Sequence, residues 1–190
     1  MSTNSGKFWV TWANKNALNS TSLDRLETTF KNNVKDFKAA LEAGGATIKV
    51  SATRRSDKRA YLFHWSWKIY TKKAKPSEAT KMVGVDIIWD HGDDVKSIAG
   101  AQEMVTGFGL AIPPRSNVAP SLTSNHITGK AIDMDITWSG KIVVKKKDGT
   151  SVEITYMNNA NLNKKLHEVG ESYSVKKHKS DAPHWSHNGR

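Results

Sequence analysis

The stretch Ser124-Asn125-His126-Ile127-Thr128-Gly129-Lys130-Ala131-Ile132-Asp133 constrains the fold more than any other in this chain. It leads into Met134, Ile136 and Trp138, which with Ala131 and Ile132 make the apolar run of a buried strand. Gly129 reads as a tight-turn or close-approach position. His126 is therefore expected just before the strand and Asp133 on it, with a turn bringing the imidazole and the carboxylate to one point.

A second cluster, Asp181-Ala182-Pro183-His184-Trp185, lies near the C-terminus. The two clusters together offer His126, Asp133 and His184 to a metal ion, with Asp181 beside them. Three protein ligands and an open fourth position make a catalytic zinc site, whereas structural zinc sites are closed by four ligands. The chain has no cysteine, which excludes a thiolate zinc finger. His184 has to arrive from elsewhere in the fold, and Asp181, three residues before it, is expected over the open face of the metal. Alone, His126 reads as a loop histidine and Asp133 as a buried, hydrogen-bonded carboxylate; the joint pattern argues for the site.

The order S-x-H-x-x-G-x-A-x-D, followed much later by an acidic residue, two spacers and a histidine, resembles the M15 family of zinc peptidases. Its members are D-Ala-D-Ala peptidases and L-alanyl-D-glutamate endopeptidases of bacterial cell walls and phage lysins. Every fixed position of the first motif is present, and the second appears as Asp181-x-x-His184, where many members carry Glu. The resemblance runs from the strand before Arg54 to the C-terminus. It implies an α+β, hedgehog/DD-peptidase-like fold: a small, mostly antiparallel sheet with packed helices and one Zn²⁺ in a cleft on the sheet. It also implies His126, Asp133 and His184 as ligands and Asp181 as general base. Arg55 is implied as a substrate contact, with Arg54 as the fallback, and Ser124 as a second substrate-binding group. The implied activity is hydrolysis of an amide bond in the peptidoglycan stem peptide, either L-Ala-D-Glu or D-Ala-D-Ala. We expect a single peptidase domain over 1–190, with the arm and helix of 1–45 as scaffold, acting as a monomer.

A net charge of +11 favours acidic partners, among them nucleic acid, anionic membrane and the anionic wall. The lysines are spread along the chain; Lys145-Lys146-Lys147 and Lys176-Lys177 are the dense clusters. A nucleic-acid-binding protein is one competing reading, since the chain has seven tryptophans, but most sit in apolar segments as core residues do, so no specific nucleic acid is expected. A catalytically inactive, zinc-containing cell-wall-binding module is the other, and the intact Asp181 argues against it. No apolar run is long enough to span a membrane, and Met1–Lys7 lacks the apolar core of a secretory signal. The protein is thus expected to be made in the cytoplasm and to reach the wall after release or by dedicated export.

Along the chain, Phe8, Val10 and Trp12 alternate as in a short strand or apolar arm. Leu23, Leu26, Phe30, Val34, Phe37 and Leu41 predict a helix from Ser22, with Thr21 and Asp24 as a capping pair and Gly44-Gly45 as its end. A half-buried strand follows over Ile48–Ala52, then a helix over Lys58–Tyr70. His64 on that helix reads as a packed core residue. Asp90, His91, Asp93 and Asp94 can be read as a cation site, but capping of a helix over Val95–Phe108 by Asp93 or Asp94 uses the same residues. Asp148-Gly149 predicts a hairpin. Asn159–Val169 reads as a short helix with a surface His167, and Tyr173 and Val175 as the last strand. His178 and His187 flank the second cluster; the spacing from Asp181 selects His184.

Overall fold

The computed structural model describes residues 6–190. Met1–Ser5, part of the segment read for a secretory signal, lies outside them. In chain order the described helices are α1 (Lys7–Asn16), α2 (Thr28–Ala43), α3 (Asp57–Tyr70), α4 (Asp94–Phe108) and α5 (Lys164–Ser172). The strands are β1 (Thr47–Ala52), β2 (Ala131–Thr137), β3 (Lys141–Lys145), β4 (Ser151–Thr155), β5 (Lys176–Lys177) and β6 (His184–Ser186). The class is α+β, as expected. The chain forms two compact units, one from the segments up to Asn19 and Arg55–Ser124, the other from Ser20–Arg54 and Asn125–Arg190.

The second unit holds all six strands. Four form an antiparallel sheet in the order β1-β2-β6-β5, and β3 and β4 form the hairpin predicted around Asp148-Gly149. Phe30, Val34, Phe37 and Leu41 recur at helical spacing on α2 and are all buried. They pack with Ile132, Met134 and Ile136 of β2, Trp185 of β6, and Leu166 and Val169 of α5. Burial of each large apolar side chain contributes about 1.5–3 kcal/mol. Successive strand residues point to opposite faces, so Asp133 and His184 lie on the face of the sheet turned away from this core.

The first unit is helical. Tyr61, Leu62, Trp65 and Ile69 of α3 pack with Ala101 and Met104 of α4 and with Trp9, Val10 and Ala13 of α1. Asp93 caps α4 by accepting from the Lys96 N–H at 3.1 Å, the capping role expected for that acidic loop. His64 is tied to the Pro120 carbonyl at 2.8 Å, a packed role as expected. Among the described residues no helix is long and apolar enough to cross a membrane.

Three local expectations fail. Residues 8–12 are helical in α1, because Trp9, Val10 and Ala13 bury one stripe at a helical rather than an alternating period. The helix expected from Ser22 begins at Thr28. Ser22 caps only a single 3₁₀ turn over Leu23–Arg25, and the Glu27 carboxylate takes the N–H groups of Thr29 and Phe30. The strand expected at Tyr173 and Val175 lies instead at Lys176–Lys177, since α5 runs on to Ser172 and Tyr173 terminates it, and β6 follows as the last strand.

Candidate metal centre

The site begins with register. β2 and β6 pair with Asp133 opposite His184, and β1 pairs with β2 through an irregularity between Val50 and Ala52 that sets Ala52 opposite Asp133. The chain leaving β1 thereby carries Thr53 to the same end of the sheet. His126 sits in the turn before β2, closed by a Lys130 N–H to Asn125 carbonyl bond of 2.9 Å. Gly129 in that turn has φ +73°. A side chain there would meet the Glu27 backbone nitrogen at 2.9 Å and the Arg25 carbonyl oxygen at 3.1 Å. The Glu27 N–H also donates to the Gly129 carbonyl at 2.9 Å, so the turn is fastened to the start of α2. This is why the motif carries glycine at that position.

Three ligand atoms converge. His126 Nε2 lies 3.1 Å from Asp133 Oδ1 and 3.2 Å from His184 Nδ1, and His184 Nδ1 lies 2.9 Å from Asp133 Oδ1. The outer nitrogen of each ring meets a main-chain oxygen, His126 Nδ1 on Thr53 O at 2.5 Å and His184 Nε2 on Arg190 O at 3.2 Å. A main-chain oxygen only accepts, so each ring donates outward, and a ring with that one proton turns its lone pair inward. Two lone pairs and a carboxylate oxygen then face one another, and a metal cation or a proton balances such a set. His126 and His184 are 3% and 7% exposed, so water screens that cation poorly. With inward protons on the rings in place of a metal, burial pushes the Asp133 carboxyl up, but the hydrogen bonds and charge of His126 and His184 outweigh it and hold the group well below the usual carboxylate range. The three residues can hold a metal ion; among the described residues they are the one His/Cys/Asp/Glu group with this geometry.

The remaining expected residues come from several elements. Asp181 is exposed, on the turn before β6, where its carbonyl accepts the His184 N–H at 3.1 Å. Arg55 and Ser124 belong to the helical unit, and the Arg55 guanidinium lies over the Phe63 ring at 4.9 Å. Arg54 is in the sheet-bearing unit, where its carbonyl accepts from the Ser20 N–H at 2.9 Å. Among the described residues the Asp90–Asp94 loop forms no ligand cluster. His167 contacts the Ala160 carbonyl at 2.7 Å, and the His178 ring lies 5.5 Å from that of His184.

Sequence reasoning missed Lys177. It is 6% exposed and lies on β5, paired with Trp185 of β6. Burial pushes its ammonium down to about 8, against the opposing pull of the Asp181 and Asp133 carboxylates. The signal for its burial was the alternation Val175 in, Lys176 out, Lys177 in, hidden inside a pair of lysines that resembles solvated charge. No family model matches the chain, and neither does any curated protein or solved structure.

Proposed function

We propose that the protein is a zinc-dependent peptidase that hydrolyses an amide bond in the stem peptide of peptidoglycan, on a hedgehog/DD-peptidase-like fold with the metal in a cleft. One observation carries the reading: two imidazoles, each anchored outward to a main-chain oxygen, converge with Asp133 on one point. The donor set suits zinc, which takes histidine nitrogen and carboxylate oxygen at about 2.0–2.1 Å; at the tetrahedral angle such ligands stand about 3.3 Å apart. The observed separations are 2.9, 3.1 and 3.2 Å. Three protein ligands leave a coordination position for water.

Zinc held here supplies a Lewis acid that activates water and polarises a carbonyl. The chain's own residues supply the rest. Asp181 accepts the proton of the attacking water and returns it to the leaving amine, a role worth about 10²–10⁴ in rate. Its carboxylate is exposed and free of the core, as a group that meets substrate must be. By the resemblance, Arg55 presents a planar fork to a carboxylate or carbonyl of the peptide, and Ser124 helps orient it or stabilise the oxyanion.

The test is mass spectrometry of purified peptidoglycan digested by the zinc-loaded protein, with Asp181→Ala as control. New N-terminal D-Glu identifies an L-Ala-D-Glu endopeptidase, and loss of terminal D-Ala a carboxypeptidase. Absence of both products, from protein that holds one zinc per chain, overturns the reading and favours a wall-binding module.

A further inference from the structure

The turn joining β5 to β6 is built as a closed ring of main-chain hydrogen bonds. Asp181 N–H donates to His178 O at 3.3 Å, His184 N–H to Asp181 O at 3.1 Å, and His178 N–H to His184 O at 3.0 Å. The three carbonyls recur at every third residue and each still has a lone pair to offer. The Lys177 ammonium takes all three, donating to His178 O at 2.6 Å, to His184 O at 3.0 Å and to Asp181 O. An ammonium has three protons, and each has its own carbonyl. The lysine stem runs over the Trp185 ring, with Nζ 5.5 Å from the ring centre. The ring carries both residues of the second motif, Asp181 and His184.

We propose that Lys177 is a positioning residue whose ammonium fastens the His178–His184 turn and thereby sets both the metal ligand His184 and the acidic residue Asp181. This rests on the metal-centre reading above. The logic is one of donor number. Three carbonyl oxygens crowded around one point repel one another unless a cation sits among them. A guanidinium is a flat fork that cannot serve three converging acceptors, and a neutral side chain leaves them unpaired in a buried place. His184 is further held by pairing with Asp133 and by Arg190 O. Among the described residues, the main-chain bonds of Asp181 all belong to the ring and its ammonium. Lys177 therefore controls the acidic residue most and the ligand second.

The chain has no cysteine, so Lys177→Cys can be alkylated at one site in the unfolded state and refolded. 2-Bromoethylamine rebuilds the ammonium as a thioether analogue of lysine; 1-bromopropane gives the same shape without charge. Zinc affinity, measured by competition with a chromophoric chelator, should fall about 10–100-fold in the propyl form and return to within about threefold of the unmodified protein in the aminoethyl form. Amide exchange at His178, Asp181 and His184 should quicken only in the propyl form. Equal affinity and equal exchange in the two forms overturn the proposal; so does a difference confined to global unfolding. In the unmodified protein, one lysine ¹⁵Nζ should show couplings across hydrogen bonds to the carbonyl carbons of His178, Asp181 and His184. Their absence overturns the proposal even if neither alkylated form refolds. None of these readouts requires wall hydrolysis, so loss of the peptidase reading leaves them interpretable. If the unmodified protein binds no zinc, the metal-centre reading falls, and exchange and coupling in the metal-free chain decide the role of Lys177 in the turn.

Discussion

Asp133 faces His184 directly across the β2–β6 ladder, and the 2.9 Å contact between Asp133 Oδ1 and His184 Nδ1 follows from that register. β6 has only three residues, too few hydrogen bonds to fix register unaided. Its neighbour Trp185 does so by filling the core against Phe37, with ring centres 5.3 Å apart and the indole wholly buried. A slip by one residue exchanges the faces of Trp185 and His184.

Trp185→Ala should therefore cost about 3–5 kcal/mol of stability and weaken metal binding as well, although the indole lies on the opposite face of the strand from the ligands. Denaturant unfolding and a zinc titration on the same preparation check both halves. Full metal affinity in the destabilised variant would show that register does not depend on the indole.

Gly129→Ala places a methyl against the main chain of Arg25 and Glu27, at a φ of +73° that L-residues disfavour. Neither obstacle is a flexible side chain. A loss of about 1–3 kcal/mol is expected, read as a lower denaturation midpoint. An unchanged midpoint would mean that the turn before β2 yields without strain.

Zinc should stabilise the folded chain by mass action, by about 2.7 kcal/mol at a free concentration one hundred times the dissociation constant. Asp133→Asn keeps the shape but removes the charge that balances a bound cation, so the zinc-dependent rise in midpoint should vanish. Thermal scans with zinc and with chelator, for both proteins, decide this. An equal rise in the two would place the metal elsewhere.

Tyr61 gives the chain an alkaline limit. Its hydroxyl donates to Thr80 O at 2.6 Å and accepts from Trp89 Nε1 at 3.0 Å. Burial raises its pKa, with the Trp89 hydrogen bond a smaller opposing effect. The folded chain thus holds this proton where the unfolded chain, with a tyrosine pKa of about 10, has released it. The stability it contributes is complete below about pH 10 and is lost as pH rises towards the folded value. Tyr61→Phe should lower stability at pH 8 by about 1–3 kcal/mol and flatten the fall above pH 10. Tyr173, also raised by burial, keeps its own share. Tyrosinate absorbance should show delayed titration of Tyr61; a normal titration would remove the argument.

The convergence of the candidate ligand set was legible because it is written in side chains at meaningful spacings: His126 and Asp133 around a glycine, and His184 three residues after an acid. What surrounds it was not. Thr53 and Arg190 support the rings through main-chain oxygens, which leave no mark on residue type. Lys177 looked like one of two solvated lysines, because β5 is too short to display its alternation. The misreading of α1 has a related cause. Phe8, Val10 and Trp12 fit an alternating pattern, and the small residues that decide for a helix, Ala13 and Ala17, carry little hydrophobic signal. The start of α2 was misplaced because Leu23 and Leu26 keep helical spacing ahead of the cap, while the capping group is a glutamate one position before the first helical residue.

The main-chain anchoring of both rings bears on how such a centre tolerates sequence drift. Substitution at position 53 or 190 exchanges a side chain and leaves the main-chain oxygen in place, so the imidazole tautomers are insulated from point mutation at their own supports. Insertions and deletions are the vulnerable change. Loss of the irregularity at Val50–Ala52 moves the Thr53 oxygen along the strand and releases His126 without altering any ligand. Libraries built from substitutions should therefore find this centre forgiving, and libraries that vary the length of the β1 exit should find it brittle.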